Sequence, residues 1–254
     1  MIIAEREGDV LWLRLNRPEK KNAVDPEAML RLQGLLSEAA GDESLRLLVL
    51  TGVGDSFCAG YDIARIPETP AADGRMVGEL DDAVAQLAAF PAPTLALIDG
   101  PAYGAGLELA LACDLRMCSH RARFCMPPAK LGLLYSLEGM QRLERAVGQQ
   151  QARQMIYTAQ VLSGAEARAC GLVLGCVEDL QEWFEPFLAR LQTMSIGSLR
   201  GAKHSLTLAQ QHSPPGVTGQ VEALRAGLFG SEDARRRKAS LVRRKPVGEE
   251  QVLP

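Results

Sequence analysis

The chain lacks several features that would narrow its function quickly. Its six cysteines (Cys58, Cys113, Cys118, Cys125, Cys170, Cys176) form no C-x-x-C pair, and His120, His204 and His212 stand at no ligand spacing from them. Zinc sites show close ligand pairs, so neither a metal nor a redox cofactor is expected. No uninterrupted apolar run approaches the ~20 residues of a membrane helix, so no membrane partner is expected. Lys and Arg number 28 against 31 acids, a net charge of −3. That balance excludes a surface built wholly for nucleic acid or anionic lipid. There is no low-complexity segment and no internal repeat. Met1-Ile2-Ile3-Ala4 runs straight into Glu5-Arg6, without the leader of a secreted protein, and a cytoplasmic location is expected. Apolar neighbours around most of the thiols point to reduced cysteines in a core.

What is present is material for one substantial core: 254 residues, 47% of them hydrophobic. Val10–Leu15, Arg46–Thr51 and Thr94–Ile98 read as strands, with further strands near 114–118 and 172–177. Asp25-Pro26-Glu27 is an N-cap, a proline at the first helical position and an acidic first turn. The helix it opens carries Met29, Leu32, Leu35 and Leu36 on one face and stops at Gly41. Helices are also expected at about 79–90, 104–112, 138–158 and 164–169, and almost throughout from 179 onward, with a surface loop at 67–78. Alternating strands and helices followed by a helical tail predict an α/β core with a helical C-terminal region, without a regular βαβ repeat. Arg235-Arg236-Arg237-Lys238 and Arg243-Arg244-Lys245 make the one strongly basic patch, either a solvated helix face or a phosphate contact.

Two glycine turns carry the chemistry. In Asp99-Gly100-Pro101-Ala102-Tyr103-Gly104-Ala105-Gly106-Leu107-Glu108 a strand turns into a helix, as in a dinucleotide loop. The third glycine of G-x-G-x-x-G is missing, because Leu109 stands there, and no Gly-Lys-Ser/Thr follows. A phosphate site is therefore weakly supported. First-turn amides without internal partners, opened by glycine, still form a cradle for a single oxyanion. Glu108 lies in that first turn, either as an acid at the dipole or as a proton carrier. The second turn, Thr51-Gly52-Val53-Gly54-Asp55-Ser56-Phe57-Cys58-Ala59-Gly60-Tyr61-Asp62-Ile63, leaves a buried strand in the same way.

Together these stretches resemble the crotonase (enoyl-CoA hydratase/isomerase) superfamily. Asn16-Arg17-Pro18-Glu19-Lys20-Lys21-Asn22-Ala23 is similar to its N-R-P-x-x-x-N-A segment, and Phe57–Asp62 to its F-x-A-G-x-D loop. Gly100–Asp114 is similar to G-x-x-x-G-x-G-x-E-L-A-L-x-C-D, and Leu162–Ala167 to a later L-T-G-x-x-x-x-A turn. The resemblance implies a crotonase-type ββα spiral over 1–195, a helical region over 196–254 involved in trimerisation, and assembly as a homotrimer or dimer of trimers. It implies an acyl-CoA substrate and no cofactor beyond that coenzyme A. The backbone N–H groups of Ala59 and Ala105 would hold the thioester oxygen, and Lys21, Ala23, Ala59, Gly60, Tyr61, Asp62 and Ile63 would contact the CoA. Glu108 matches one of two hydratase glutamates.

The second glutamate position holds Pro128, which cannot move a proton. The shape of Phe124–Tyr135 is similar to the methylmalonyl-CoA decarboxylase branch, where a tyrosine at the position of Tyr135 lines the site, although that branch has histidine where Tyr61 stands. The readings left open are an atypical hydratase or isomerase using Glu108 with Tyr135, an acyl-CoA decarboxylase, and a non-catalytic CoA- or RNA-binding scaffold. Nearby, Glu138 reads as a helix N-terminal acid or as a replacement proton carrier. Relatives commonly carry an acidic-glycine pair and a phenylalanine beyond Ser231-Glu232-Asp233; here Arg235-Arg236-Arg237 and Ser240-Leu241 stand there instead.

Overall fold

The computed structural model describes residues 2–209, 226–227 and 231–243. A six-stranded sheet runs in the order β1-β2-β3-β4-β6-β9, formed by β1 (Ile2–Glu7), β2 (Val10–Leu15), β3 (Leu47–Gly52), β4 (Thr94–Ile98), β6 (Leu115–Ser119) and β9 (Cys176–Val177). Only the β1–β2 hairpin is antiparallel; every other neighbour is parallel. A second sheet, in the order β5-β7-β8, joins Pro101–Tyr103, Arg123–Cys125 and Leu162–Ser163.

The near-continuous apolar strands follow from burial on both faces of a parallel sheet. Leu13, Leu15, Leu48, Leu50, Ala96, Ile98 and Cys118 face the main core, with α1 (Pro26–Ala40), α2 (Gly78–Ala88) and α3 (Ala105–Ala112). Their alternates Val10, Trp12, Leu47, Val49, Leu95, Leu97 and Met117 pack on the other face, with Phe184 of α8 (Leu180–Gln192). The Trp12 and Phe184 rings meet edge to face at 5.0 Å. The next helix, α9 (Ile196–Ala209), is anchored by buried Lys203, whose Nζ lies 2.8 Å from Asp114 and donates to Ala92 O at 3.1 Å.

Two local expectations change, and one segment without an expected structure proves to be a strand. The helix expected over 138–158 is two, α5 (Leu137–Val147) and α6 (Gln149–Thr158), because Gly148 takes φ 78 and breaks the run. The strand expected over 172–177 shortens to Cys176–Val177. The charged segment Ile2–Glu7 is a strand, an edge strand whose Glu5 pairs with Arg14 on β2. The remaining elements include the short α4 (Pro128–Leu131), α7 (Gly164–Ala169) and α10 (Glu232–Arg243). Of the basic patch, Arg244 and Lys245 lie outside the described residues. Among the described residues no helix is long and apolar enough to cross a membrane.

One buried side chain ties the N-terminal turn to the first glycine loop. Asn22, 1% exposed, donates to Val53 O at 2.9 Å and Ser56 O at 2.6 Å, and accepts from the Arg17 amide at 2.9 Å. Asn22→Ala leaves both carbonyls unmet, at a cost of about 1–3 kcal/mol for each buried group. The urea midpoint should fall accordingly with an unchanged m-value; an unchanged midpoint would contradict this role.

Candidate active site

The site is made where the two glycine loops lie side by side. The Cys58 amide donates to Pro101 O and the Tyr103 amide to Cys58 O, both at 2.9 Å, zipping the first loop onto β5. A Cβ at Gly106 would run into Cys58 O, so the start of α3 reaches the loop only because residue 106 has no side chain. A Cβ at Gly60 would lie 3.0 Å from Tyr103 O and 3.9 Å from the Ala105 N. The amides that follow Gly60 and Gly104 are thereby brought to one place.

This contact corrects one expectation. The Ala59 N–H, expected as an oxyanion donor, is committed to Lys21 O at 2.9 Å. The neighbouring bonds show which amide of the loop is left open. Gly60 O accepts from Val24 N at 2.9 Å and Asp62 N donates to Val24 O at 2.7 Å, as in a parallel bridge. The intervening Tyr61 N–H is turned away from Val24 and makes no hydrogen bond among the described residues. Ala105, as the first residue of α3, has no intrahelical acceptor for its own N–H.

The same bonds align Lys21–Val24 with Ala59–Asp62 as one ledge, so the residues expected to meet CoA lie together. Lys21 is exposed, whereas Ala23, Ala59, Tyr61, Asp62 and Ile63 are half-buried and Gly60 is buried. The Asp62 carboxylate is turned inward: it lies 3.3 Å from Arg17 Nη1 and 3.8 Å from Lys20 Nζ, and its other oxygen caps the 3₁₀ turn Ile63–Arg65. It braces the ledge, leaving only its backbone to meet a ligand there.

Glu108 is 3% exposed on α3, one turn beyond the Ala105 amide. Its carboxylate packs against Gly139 at the start of α5, where a Cβ would meet Oε1. Ser136 caps that helix by accepting from the Gly139 amide at 3.2 Å, and the positive end of α5 favours a carboxylate there. Tyr135, just before the cap, places its hydroxyl 3.0 Å from where a Gly104 Cβ would be. Both predicted catalytic side chains therefore border the amide cradle. Pro128 is buried at the first position of α4. Glu138 is exposed in the first turn of α5.

Sequence reasoning missed two other groups, Glu79 and Arg142. Tyr61 donates its hydroxyl to Glu79 Oε1 on α2; burial, then that bond and the Glu79 charge, push the phenol far above its ordinary pKa. Arg142 on α5 is half-buried, and burial lowers its pKa while the charges of Glu108 and then Glu138 oppose the shift. Only the packing of α2, α3 and α5 gives Glu79 and Arg142 these neighbours. At the outer edge, α10 lies against α4 and the Ile63–Arg65 turn, and Lys238 Nζ donates to Ile66 O at 2.7 Å.

Two amides without internal acceptors, a buried acid one turn on and this double-sheet frame coincide with a family match. The enoyl-CoA hydratase/isomerase family model covers residues 5–239. The chain belongs to this family. A crotonyl-CoA hydratase of Syntrophomonas wolfei is 38% identical over 234 residues, covering 90% of this chain and 88% of the relative. A short-chain-enoyl-CoA hydratase of Clostridium acetobutylicum is 37% identical over 179 residues, 70% of this chain and 69% of its own length. Among solved structures, an enoyl-CoA hydratase from Bacillus halodurans has a TM-score of 0.83 at 25% identity, covering 94% of this chain and 99% of that one. A monofunctional enoyl-CoA isomerase from M. smegmatis has a TM-score of 0.71 at 30% identity, covering 86% and 98%. The expected crotonase fold is thus shown, in an enoyl-CoA hydratase/isomerase-like enzyme. None of these relatives points to the decarboxylase branch.

Because an opposite charge favours the ionised form of a carboxylate, Arg142→Met should raise the pKa of the Glu108 side chain. The acidic limb of the pH–kcat/KM profile should then move to higher pH. A limb that stays in place would show that Arg142 does not act on Glu108.

Proposed function

We propose that this enzyme acts on an enoyl-CoA thioester and moves a proton beside the thioester carbonyl through an enolate. The Tyr61 and Ala105 N–H groups hold the enolate oxygen, and Glu108 carries the proton. The observation that supports this most strongly is the placement of buried Glu108 one turn beyond the Ala105 amide, with buried Pro128 where a second carboxylate would be needed for hydration. Two fixed amides stabilise charge where it develops, and one such donor is worth about 10²–10³-fold in rate.

With one carboxylate the best-supported reaction is double-bond isomerisation. Glu108 takes a proton from the carbon next to the carbonyl of a 3-enoyl-CoA, the amides hold the resulting dienolate, and the same acid returns the proton two carbons further on. The Tyr135 hydroxyl lies beside Gly104 and would be the second polar group at the reacting end. The ledge of Lys21, Ala23 and Ala59–Ile63 would carry the CoA, using the backbone of Asp62. No further cofactor is needed for this chemistry. Exposed Arg235 and Arg236 on α10, the helix that packs against the Ile63–Arg65 turn, would meet CoA phosphates. Residues 196–254 would contribute to a homotrimer or a dimer of trimers. Slow hydration by Glu108 alone is the second reading, favoured by the hydratase names of the relatives.

A panel of 2-enoyl- and 3-enoyl-CoA esters separates the two. Isomerisation of a 3-enoyl-CoA should exceed hydration of crotonyl-CoA, followed as loss of enoyl absorbance; fast crotonyl-CoA hydration would overturn the single-carboxylate reading. Glu108→Gln should lower the proton-transfer rate by at least about 10²-fold. An unaffected rate would remove Glu108 from the mechanism.

A further inference from the structure

Away from the acyl site, β6 and β9 set two cysteines against each other. Cys118 and Cys176 are register partners on adjacent parallel strands, so their side chains leave the sheet on the same face. Both sulfurs converge on one spot: a Cβ at Gly164, the first residue of α7, would lie 2.6 Å from Cys176 Sγ and 3.2 Å from Cys118 Sγ. The Cys118 thiol donates to Gly175 O at 3.5 Å, next to Cys176 in the chain. Neighbouring strands run about 4.7–4.9 Å apart, inside the roughly 4.4–6.8 Å between Cα atoms that a disulfide spans. A bond between the two sulfurs therefore needs side-chain rotation and no rearrangement of the sheet.

The pair is asymmetric. Cys118 is fully buried, and burial followed by the neighbouring Cys176 keeps its thiol protonated. Cys176 is half-buried and has His120 beside it, with Nδ1 3.2 Å from Sγ. His120 is itself exposed. One thiol thus has access and a base, and the other is held behind it without either. Cys170 is half-buried too, but among the described residues its Sγ hydrogen-bonds only to Ala167 O, at 3.4 Å, which makes it an internal control.

We propose that Cys176 is a peroxide-oxidisable thiol, with His120 as its base and Cys118 as the resolving thiol. His120 accepts the Cys176 proton and the thiolate attacks a hydroperoxide oxygen. The O–O bond breaks, the Cys176 sulfenic acid forms, and the alcohol (water, for hydrogen peroxide) leaves with the proton. Cys118 sulfur then attacks the Cys176 sulfur, an S–S bond forms, the S–O bond breaks, and water leaves with the Cys118 proton. Overall two thiols and one hydroperoxide give one disulfide, one alcohol and one water. The device is separate from the proposed acyl-CoA chemistry, and none of its residues belongs to that site.

The test treats the full chain with hydrogen peroxide, blocks free thiols and maps the peptides by mass spectrometry. A Cys118–Cys176 cross-linked peptide should form ahead of any oxidation at Cys170. Cys118→Ser should leave a sulfenic acid at Cys176 that dimedone captures. Cys176→Ser should leave Cys118 unoxidised, and His120→Ala should slow dimedone capture at Cys176 at least about five-fold. Oxidation of Cys170 as fast as Cys176, or a Cys176 sulfenic acid that persists beside an intact Cys118 thiol, would overturn the proposal.

Discussion

The arrangement depends on a single main-chain contact, the pairing of Cys58 with Pro101 and Tyr103. Those two hydrogen bonds hold the loop after β3 against the turn before α3. Everything at the site inherits its position from them: the Tyr61 amide on one side, the Ala105 amide on the other, and Glu108 a turn further. The contact is possible only because Gly106 presents no side chain to the Cys58 carbonyl. Fixed backbone dipoles suit such a task, since they need little reorganisation when charge appears.

Rigidity behind that contact comes from a sheet packed on both faces. The inner alternates of β2, β3, β4 and β6 build the core that carries α1, α2 and α3, while the outer alternates take α8 and its Phe184. The loops that leave the carboxyl ends of β3 and β4 are thus anchored at their roots. Asn22 then fastens the N-terminal turn to the first loop through two backbone carbonyls, and the ion pairs of Arg17 with Asp25 and Asp62 complete the ledge. The polar groups nearest the ledge are largely satisfied within the protein, so their contribution is to hold the backbone that faces a ligand.

Much of this was legible in the residues. The apolar blocks at 10–15, 46–51 and 94–98 are strands because a doubly covered parallel sheet asks for unbroken hydrophobic runs. The helix over Pro26–Ala40 announced itself through its cap, its proline and its face. What escaped was set by contacts across space. Ile2–Glu7 is a strand because β2 offers an edge, although its own composition is charged. The periodic pattern runs through 138–158, and only the glycine conformation at 148 divides it. Motif matching located the loop of the cradle but not which of its amides is open, because Ala59 and Tyr61 differ in the edge their N–H groups face, a property of pairing with Lys21 and Val24. Arg142 and Glu79 were invisible for the same reason: their partners lie on other helices.

The central claim, that two open amides polarise a thioester carbonyl, is tested most directly by vibrational spectroscopy of a bound, unreactive acyl-CoA labelled with carbon-13 at the thioester carbonyl. Two hydrogen bonds at that oxygen lower the carbonyl stretching frequency, so binding should shift the labelled band clearly to the red of its position in water. A band that stays at its solution frequency in the fully formed complex would contradict the account, because no oxyanion cradle would then be acting on the substrate.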